Sequence, residues 1–148
     1  MLAPRGCTNL KLRQLSRVVT RHYASFVAPS GLKITQYSLL SHVVTLGPVG
    51  AGELAAAMRL EASTLTRNLQ PLVQQGLVQI GRGDDARSRM VQATDAGRGL
   101  RVQVQRAWKR AQLALNTRLG ADRVAALHAL IDECLQHFDA AQEETEDA

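Results

Sequence analysis

Along residues 52–97 the spacing of the apolar side chains changes several times, from helical spacing to alternation. This series of spacings constrains the fold more than any other part of the chain. Leu54 and Met58 recur at the spacing of one helix face, and after a short break Leu65 and Leu69 begin a second helical stripe. Two shorter segments then alternate apolar with polar residues on either side of the turn-rich sequence GRGDDARS. Two helices joined by a tight turn and followed by a two-stranded ribbon predict a winged helix-turn-helix.

Apolar stripes at helical spacing also lie on both sides of this stretch. We expect a helix from Asn9 to Phe26, a second helix capped by Thr35, and a short strand near Val49. A long helix that Thr94 can cap, and a last helix, follow the wing. The predicted fold class is therefore mostly α with a small β-wing: a winged helix-turn-helix plus N- and C-terminal dimerisation helices, in the order α-α-β-α-α-β-β-α-α.

The first, fifth and sixth predicted helices carry apolar stripes that find no partner in a core built from residues 34–94 alone. A second copy of the chain is the simplest partner, so we expect a homodimer. Cys134 lies on the last of these stripes and is expected in the core. The predicted organisation is 1–33 for an N-terminal arm and dimerisation helix, 34–95 for the winged helix-turn-helix DNA-binding lobe, 96–139 for the long helix and C-terminal dimerisation helix, and 140–148 for an acidic disordered tail.

Composition and charge narrow the function classes. The net charge of +5 is the balance of −5 in residues 139–148 and +10 before them, which favours a polyanionic partner such as nucleic acid. No apolar run approaches the ~18 residues that cross a bilayer, and no apolar signal core follows Met1, so we expect a cytoplasmic protein without membrane association. The two cysteines are far apart and no catalytic or metal-binding motif occurs, so we expect no enzyme activity, cofactor or metal site.

Three short segments within the winged stretch form a recognisable set: ELA from Glu53, TLTR from Thr64 leading to Gly76, and DAR from Asp85 followed by T-x-x-G ending at Gly97. With these segments the chain resembles the MarR (multiple antibiotic resistance regulator) family of bacterial transcription factors. The resemblance implies a homodimer with two winged lobes that bind double-stranded DNA at an inverted repeat. It also implies repression of nearby genes and release by a small ligand or an oxidant.

The predicted DNA-contact residues lie on the second motif helix and on the wing. Arg67 can either fork onto a guanine or bridge phosphates, and both roles stay open. In the wing, Asp85 can hold Arg87 extended, and the family resemblance implies that this arginine enters the minor groove. The full predicted DNA-binding set is Ser63, Thr64, Arg67, Asn68, Gln70, Arg82, Asp85, Arg87 and Arg89.

The controlling signal has three candidate forms. A small aromatic or anionic effector is the first, and its predicted binding residues, drawn from the helices that line the family's ligand cleft, are Arg17, Arg21, His22, Tyr37 and His42. Oxidant sensing through Cys7 is an alternative, because Arg5 and Lys11 add positive charge near this thiol. The remaining alternative is a winged-helix architectural or interaction module without ligand control.

Overall fold

The computed structural model describes residues 3–83 and 89–146, with side chains to residue 143. The described residues form six α-helices, a short 3-10 helix and three strands, in the order predicted from the sequence. The elements are α1 (Thr8–Val27), a 3-10 turn (Ala28–Ser30), α2 (Ile34–Leu46), β1 (Val49–Gly50), α3 (Ala51–Ala57), α4 (Ala62–Gln74), β2 (Val78–Arg82), β3 (Arg89–Ala93), α5 (Asp95–Leu119) and α6 (Ala121–Glu146). This confirms the mostly α fold class with a small β-wing.

The three strands form one antiparallel sheet in the order β1-β3-β2. The central strand pairs Val91 with Val49 on one side and with Ile80 on the other. Val91 and Ala93 are buried and alternate with more exposed residues, as expected for a strand with one face on a core. The sheet thereby fixes the base of the wing against the helices.

The start of α2 differs from the sequence prediction. The N-cap is Lys33, and Thr35 lies inside the first turn, so the prediction that Thr35 caps this helix is wrong. The physical reason is the side chain of Gln36, whose Oε1 accepts a hydrogen bond from the Lys33 backbone N–H at 3.0 Å. At the start of α5 the predicted cap is confirmed, because the Gly97 N–H donates to Thr94 Oγ1 at 3.1 Å.

The chain divides into two compact units, Met1–Arg110 and Ala111–Ala148. In the first unit, α2, α3, α4 and the sheet enclose a core that includes Leu40 and Val91. This core also takes in Val27 from α1 and Val104 from α5, with Trp108 packed against it. The expectation that the first and fifth helices find no partner in the core of residues 34–94 was therefore wrong in part, because α1 and the first half of α5 supply apolar groups that this core buries.

Several apolar side chains are exposed on the single chain. They lie at the start of α1 and along α6: Leu10, Leu12, Leu15, Val18, Leu130, Ile131 and Phe138. Cys134 is exposed as well, so the expectation that it is a core residue was wrong for one chain. Among the described helices, none is both long and apolar enough to cross a membrane.

Candidate nucleic-acid interface

Helix α4 is the predicted DNA-reading helix, and its geometry follows from its sequence. Leu65, Leu69 and Leu72 are buried on one face, which fixes the opposite face towards solvent. The helix ends in a Schellman motif at Gly76, where φ is 70° and glycine avoids a Cβ clash. The Gly76 N–H donates to the carbonyl of Val73 at 3.0 Å, and the Leu77 N–H donates to the carbonyl of Leu72 at 2.9 Å.

Of the five residues predicted to touch DNA from α4, three belong to its solvent-exposed face. Ser63, Arg67 and Gln70 are exposed. Thr64 and Asn68 are half-buried, closer to the margin where α4 meets its neighbours. The exposed polar face therefore presents a hydroxyl, a guanidinium and an amide, which are groups that hydrogen-bond to base edges and phosphates.

A cleft of about 250 Å³ opens beside this face, between the start of α2 and the middle of α4. Its lining residues are Lys33, Thr35, Gln36, Arg67, Asn68 and Pro71. The first three were missed by the sequence reasoning. The available clue was a lysine just before a helix, at a position where Ser, Thr, Asp or Asn is usual.

The wing carries a pair of arginines at the end of the β2–β3 ladder farthest from the Val78–Ala93 pair. Arg82 on β2 and Arg89 on β3 stand directly opposite each other, and both are exposed. Like charges directly opposite on antiparallel strands are destabilising, and an anionic partner would relieve their repulsion. Asp85 and Arg87, the other predicted wing contacts, lie outside the described residues.

The junction between the wing and α5 ties the reading helix to the long helix. Thr94 donates its hydroxyl to the Gly76 carbonyl at 2.6 Å and its backbone N–H to the Leu77 carbonyl at 3.0 Å. Gly97 packs so closely on this turn that a Cβ there would overlap the Leu77 carbonyl oxygen. These contacts give the T-x-x-G segment a physical reason.

The predicted effector residues occupy different environments. Arg17 and Arg21 are exposed on α1, and His22 is half-buried against the ring of Phe26, with centroids 5.3 Å apart. His42 lies beside Ser41 in a separate open cleft on α2, and its Nδ1 is 2.7 Å from the Ser38 carbonyl. Their joint role in binding an effector stays a prediction.

Tyr37, the remaining predicted effector residue, is part of the core. The centroid of its ring lies 4.8 Å from that of Trp108, and the Trp108 centroid lies 4.5 Å from that of Tyr23, with both pairs of rings tilted. Burial raises the pKa of the Tyr37 hydroxyl, while the charge of Arg101 and a hydrogen bond with Ser41 pull the pKa partly back. Burial also raises the pKa of Tyr23. The tyrosines therefore pack as neutral aromatic groups.

Cys7 is exposed at the N-cap of α1. Among residues 3–83 and 89–146, no three histidine, cysteine or acidic side chains come together as a metal site would require.

Comparison with known proteins places this architecture. The MarR family model matches residues 30–88, and an uncharacterized HTH-type transcriptional regulator of Bacillus subtilis, YwoH, is 31% identical over 84 residues. The Mycobacterium tuberculosis transcriptional regulator MosR, solved in complex with DNA, is 30% identical, with 87% of this chain and 98% of that chain covered and a TM-score of 0.71. The chain belongs to the MarR family.

The two sequence matches differ in how much of each chain they cover, and a further solved structure has a similar fold. The YwoH alignment covers 57% of this MarR-family chain and 61% of YwoH. A cysteine-to-serine mutant of E. coli MarR, solved with operator DNA, has a TM-score of 0.79 over 86% of this chain and 92% of that chain. At 22% identity, this likeness shows a shared fold.

Proposed function

We propose that this MarR-family chain is a dimeric, sequence-specific DNA-binding transcriptional regulator. The observation that carries the proposal is the exposed polar face of α4 together with the exposed Arg82–Arg89 pair of the wing. A polar helix face suits the major groove, and a basic strand pair suits the adjacent phosphates. MosR, which is covered over nearly its whole length, was solved in complex with DNA. Membership of a family of transcription factors also supports a non-enzymatic role for this chain.

The proposed contact residues divide between two elements. Ser63, Thr64, Asn68 and Gln70 act from α4 together with Arg67, and the wing contributes Arg82 and Arg89 with Asp85 and Arg87. Arg82 and Arg89 make phosphate contacts that add salt-sensitive affinity. Arg87, positioned by Asp85, is proposed to enter the minor groove.

A second copy of the chain completes the regulator. The exposed apolar residues of α1 and α6 form stripes that water would otherwise cover, and a two-fold dimer buries such stripes symmetrically. Two reading helices about 34 Å apart then predict an inverted-repeat operator. Light scattering coupled to size exclusion at micromolar concentration tests this step, and a monomer would contradict it.

The central experiment is selection of bound sequences from a random duplex pool, followed by anisotropy titrations with the winning duplex. We expect an enriched inverted repeat and a tighter dissociation constant than for a scrambled duplex. Arg82→Ala should weaken binding and lower the salt slope by about 0.9, whereas Arg118→Ala removes an equal charge from the exposed end of α5 and should leave the slope unchanged. Recovery of unenriched sequence would refute the proposal.

Regulation is proposed to be repression of nearby genes, released by a small aromatic or anionic ligand, in a cytoplasmic setting. Adding candidate aromatic acids to the DNA complex tests for ligand release. Hydroperoxide treatment tests the alternative of oxidant sensing, which the exposed position of Cys7 favours. In that alternative Cys7→Ser keeps its DNA complex under peroxide. A complex that no such addition releases would point to the unliganded architectural module.

A further inference from the structure

We infer that the cleft between α2 and α4 binds one phosphate of the DNA backbone, held between Lys33 and Arg67. The inference rests on the proposed DNA binding and assigns a role to residues that the sequence reasoning did not use. Lys33 is the residue before α2 and Arg67 lies in the middle of α4, so two separate elements contribute a basic residue to the lining of one cleft.

The chemistry of the lining is that of an anion site. No carboxylate occurs among the described residues that line the cleft. Two basic residues that line one cleft repel each other, and an anion between them would remove that cost. Thr35 and Asn68 add neutral donors, and Gln36, whose Oε1 already accepts from the Lys33 amide, is left with its NH₂ group to donate.

The choice of Lys33 at the N-cap supports the same occupant. A lysine side chain has donors only, so it cannot accept from the free amides of the first turn as Ser, Thr, Asp or Asn would. The first turn of α2 also lacks an acidic residue. The amides and the helix dipole thus add attraction for a phosphate beside the two cations.

The size of the cleft fits a phosphate group with bridging waters, since about 250 Å³ holds several groups of water size, each taking about 30 Å³ in the liquid. Its position fits a backbone phosphate, since Arg67 borders both the cleft and the exposed face of α4. With Arg67 on a phosphate, base reading falls to Ser63 and Gln70, which project from the exposed face. This assignment chooses between the two roles that the sequence left open for Arg67.

The first test is the salt dependence of operator binding by the full chain. Lys33→Ala should lower the slope of log affinity against log salt by about 0.9, so its affinity defect should shrink about 3.5-fold between 50 and 200 mM salt. Lys109→Ala is the matched control, because it removes the same charge from an exposed position on α5. Lys33 is exposed as well, and matching melting curves of both variants would show that the fold is kept. An unchanged slope in Lys33→Ala would overturn the inference.

The second test identifies the phosphate. Duplexes that each carry one neutral methylphosphonate linkage are titrated against wild type and Lys33→Ala. At one linkage per half-site we expect the two changes together to weaken binding no more than either alone, because both remove the same contact. Full additivity at every linkage would refute the inference. Arg67→Ala should weaken binding to all single-base operator variants by a similar factor, and relaxed preference at one base pair would instead show base reading and count against it.

A third arm separates DNA phosphate from free phosphate. Inorganic phosphate is titrated into each complex at constant ionic strength. Stronger competition in wild type than in Lys33→Ala, together with a changed salt slope, supports a cleft that the DNA phosphate occupies. The same competition with an unchanged slope would mean a site for the free ion only and would overturn the inference. If the wild-type protein binds no duplex specifically, the proposed function fails. If it binds specifically and Lys33→Ala has the same salt slope as wild type, this inference alone fails.

Discussion

Gly97 and Gly99 give a matched pair of substitutions within the first turns of α5. A Cβ at Gly97 would overlap the Leu77 carbonyl oxygen, with the carbonyl carbon at 3.0 Å and Leu40 Cδ1 at 3.3 Å, whereas a Cβ at Gly99 would have no neighbour within 4 Å. Both residues are helical and neither has a positive φ, so alanine suits the backbone of each. The two substitutions therefore differ mainly in the steric clash with the turn after α4.

The expected magnitudes have opposite signs. Gly99→Ala should raise the free energy of unfolding by about 0.5–1 kcal/mol, because alanine is the better helix former. Gly97→Ala has the same gain but forces the backbone apart, which costs about 1–3 kcal/mol, and weakens the hydrogen bond from Thr94 to Leu77, worth about 0.5–1.5 kcal/mol. We expect a net loss of about 1–3 kcal/mol for Gly97→Ala.

Thermal and urea unfolding at one fixed protomer concentration measure this difference, since dimerisation would make stability depend on concentration. At about 2–4 °C per kcal/mol for a chain of this size, Gly97→Ala should melt about 2–12 °C below wild type and Gly99→Ala about 1–4 °C above it. Operator affinity should fall only for Gly97→Ala, because the amide of Leu77 donates to the Leu72 carbonyl and so holds the end of α4. Equal melting temperatures for the two variants would refute the reasoning.

Two further predictions concern charge. Arg89→Thr should stabilise the protein without DNA by about 0.2–1 kcal/mol, because it removes the repulsion with Arg82 across the strands, and it should weaken DNA binding. Urea unfolding measures the change in stability and anisotropy measures the change in DNA affinity. A destabilised variant would contradict the expected gain in stability. The hydroxyl groups of Tyr23 and Tyr37 should ionise with a pKa above the usual tyrosine value of about 10 in the folded protein, which ultraviolet absorbance of the phenolate detects. The pKa of each tyrosine is higher in the folded than in the unfolded protein. Their contribution to stability is therefore complete below about pH 10 and is lost as pH rises through the folded pKa. Tyr37→Phe should consequently lose less stability at high pH than wild type.

The elements with strong local chemistry could be predicted from the sequence. The apolar spacing of α4 and the glycine that ends it define that helix, and the Thr94 cap sets the start of α5. The start of α2 could not be placed, because Gln36 and Thr35 offer competing side chains and only the folded backbone shows that Gln36 reaches the Lys33 amide. Local propensity does not decide between two such partners.

Long-range packing explains the other differences. Periodicity marks which face of a helix is apolar, but it does not say what covers that face. Val104 lies in the core of the lobe and Trp108 packs between two tyrosines. Cys134, by contrast, lies on an equally regular apolar stripe and is exposed. The cleft at Lys33 and Arg67 was missed for the same reason, because its two walls are far apart in the sequence.

Gly76 and Leu77 show how the reading helix is positioned. Their amides close the end of α4 onto Val73 and Leu72, and their carbonyls accept the hydroxyl and the amide of Thr94 at the start of α5. Both residues thus have their backbone donor and acceptor satisfied by two different elements, which leaves the turn little freedom to adjust. A displacement at the start of α5 must therefore either break these hydrogen bonds or move the end of α4. Because the proposed DNA contacts lie along α4, the junction gives residues far from the groove a direct physical means of changing operator affinity.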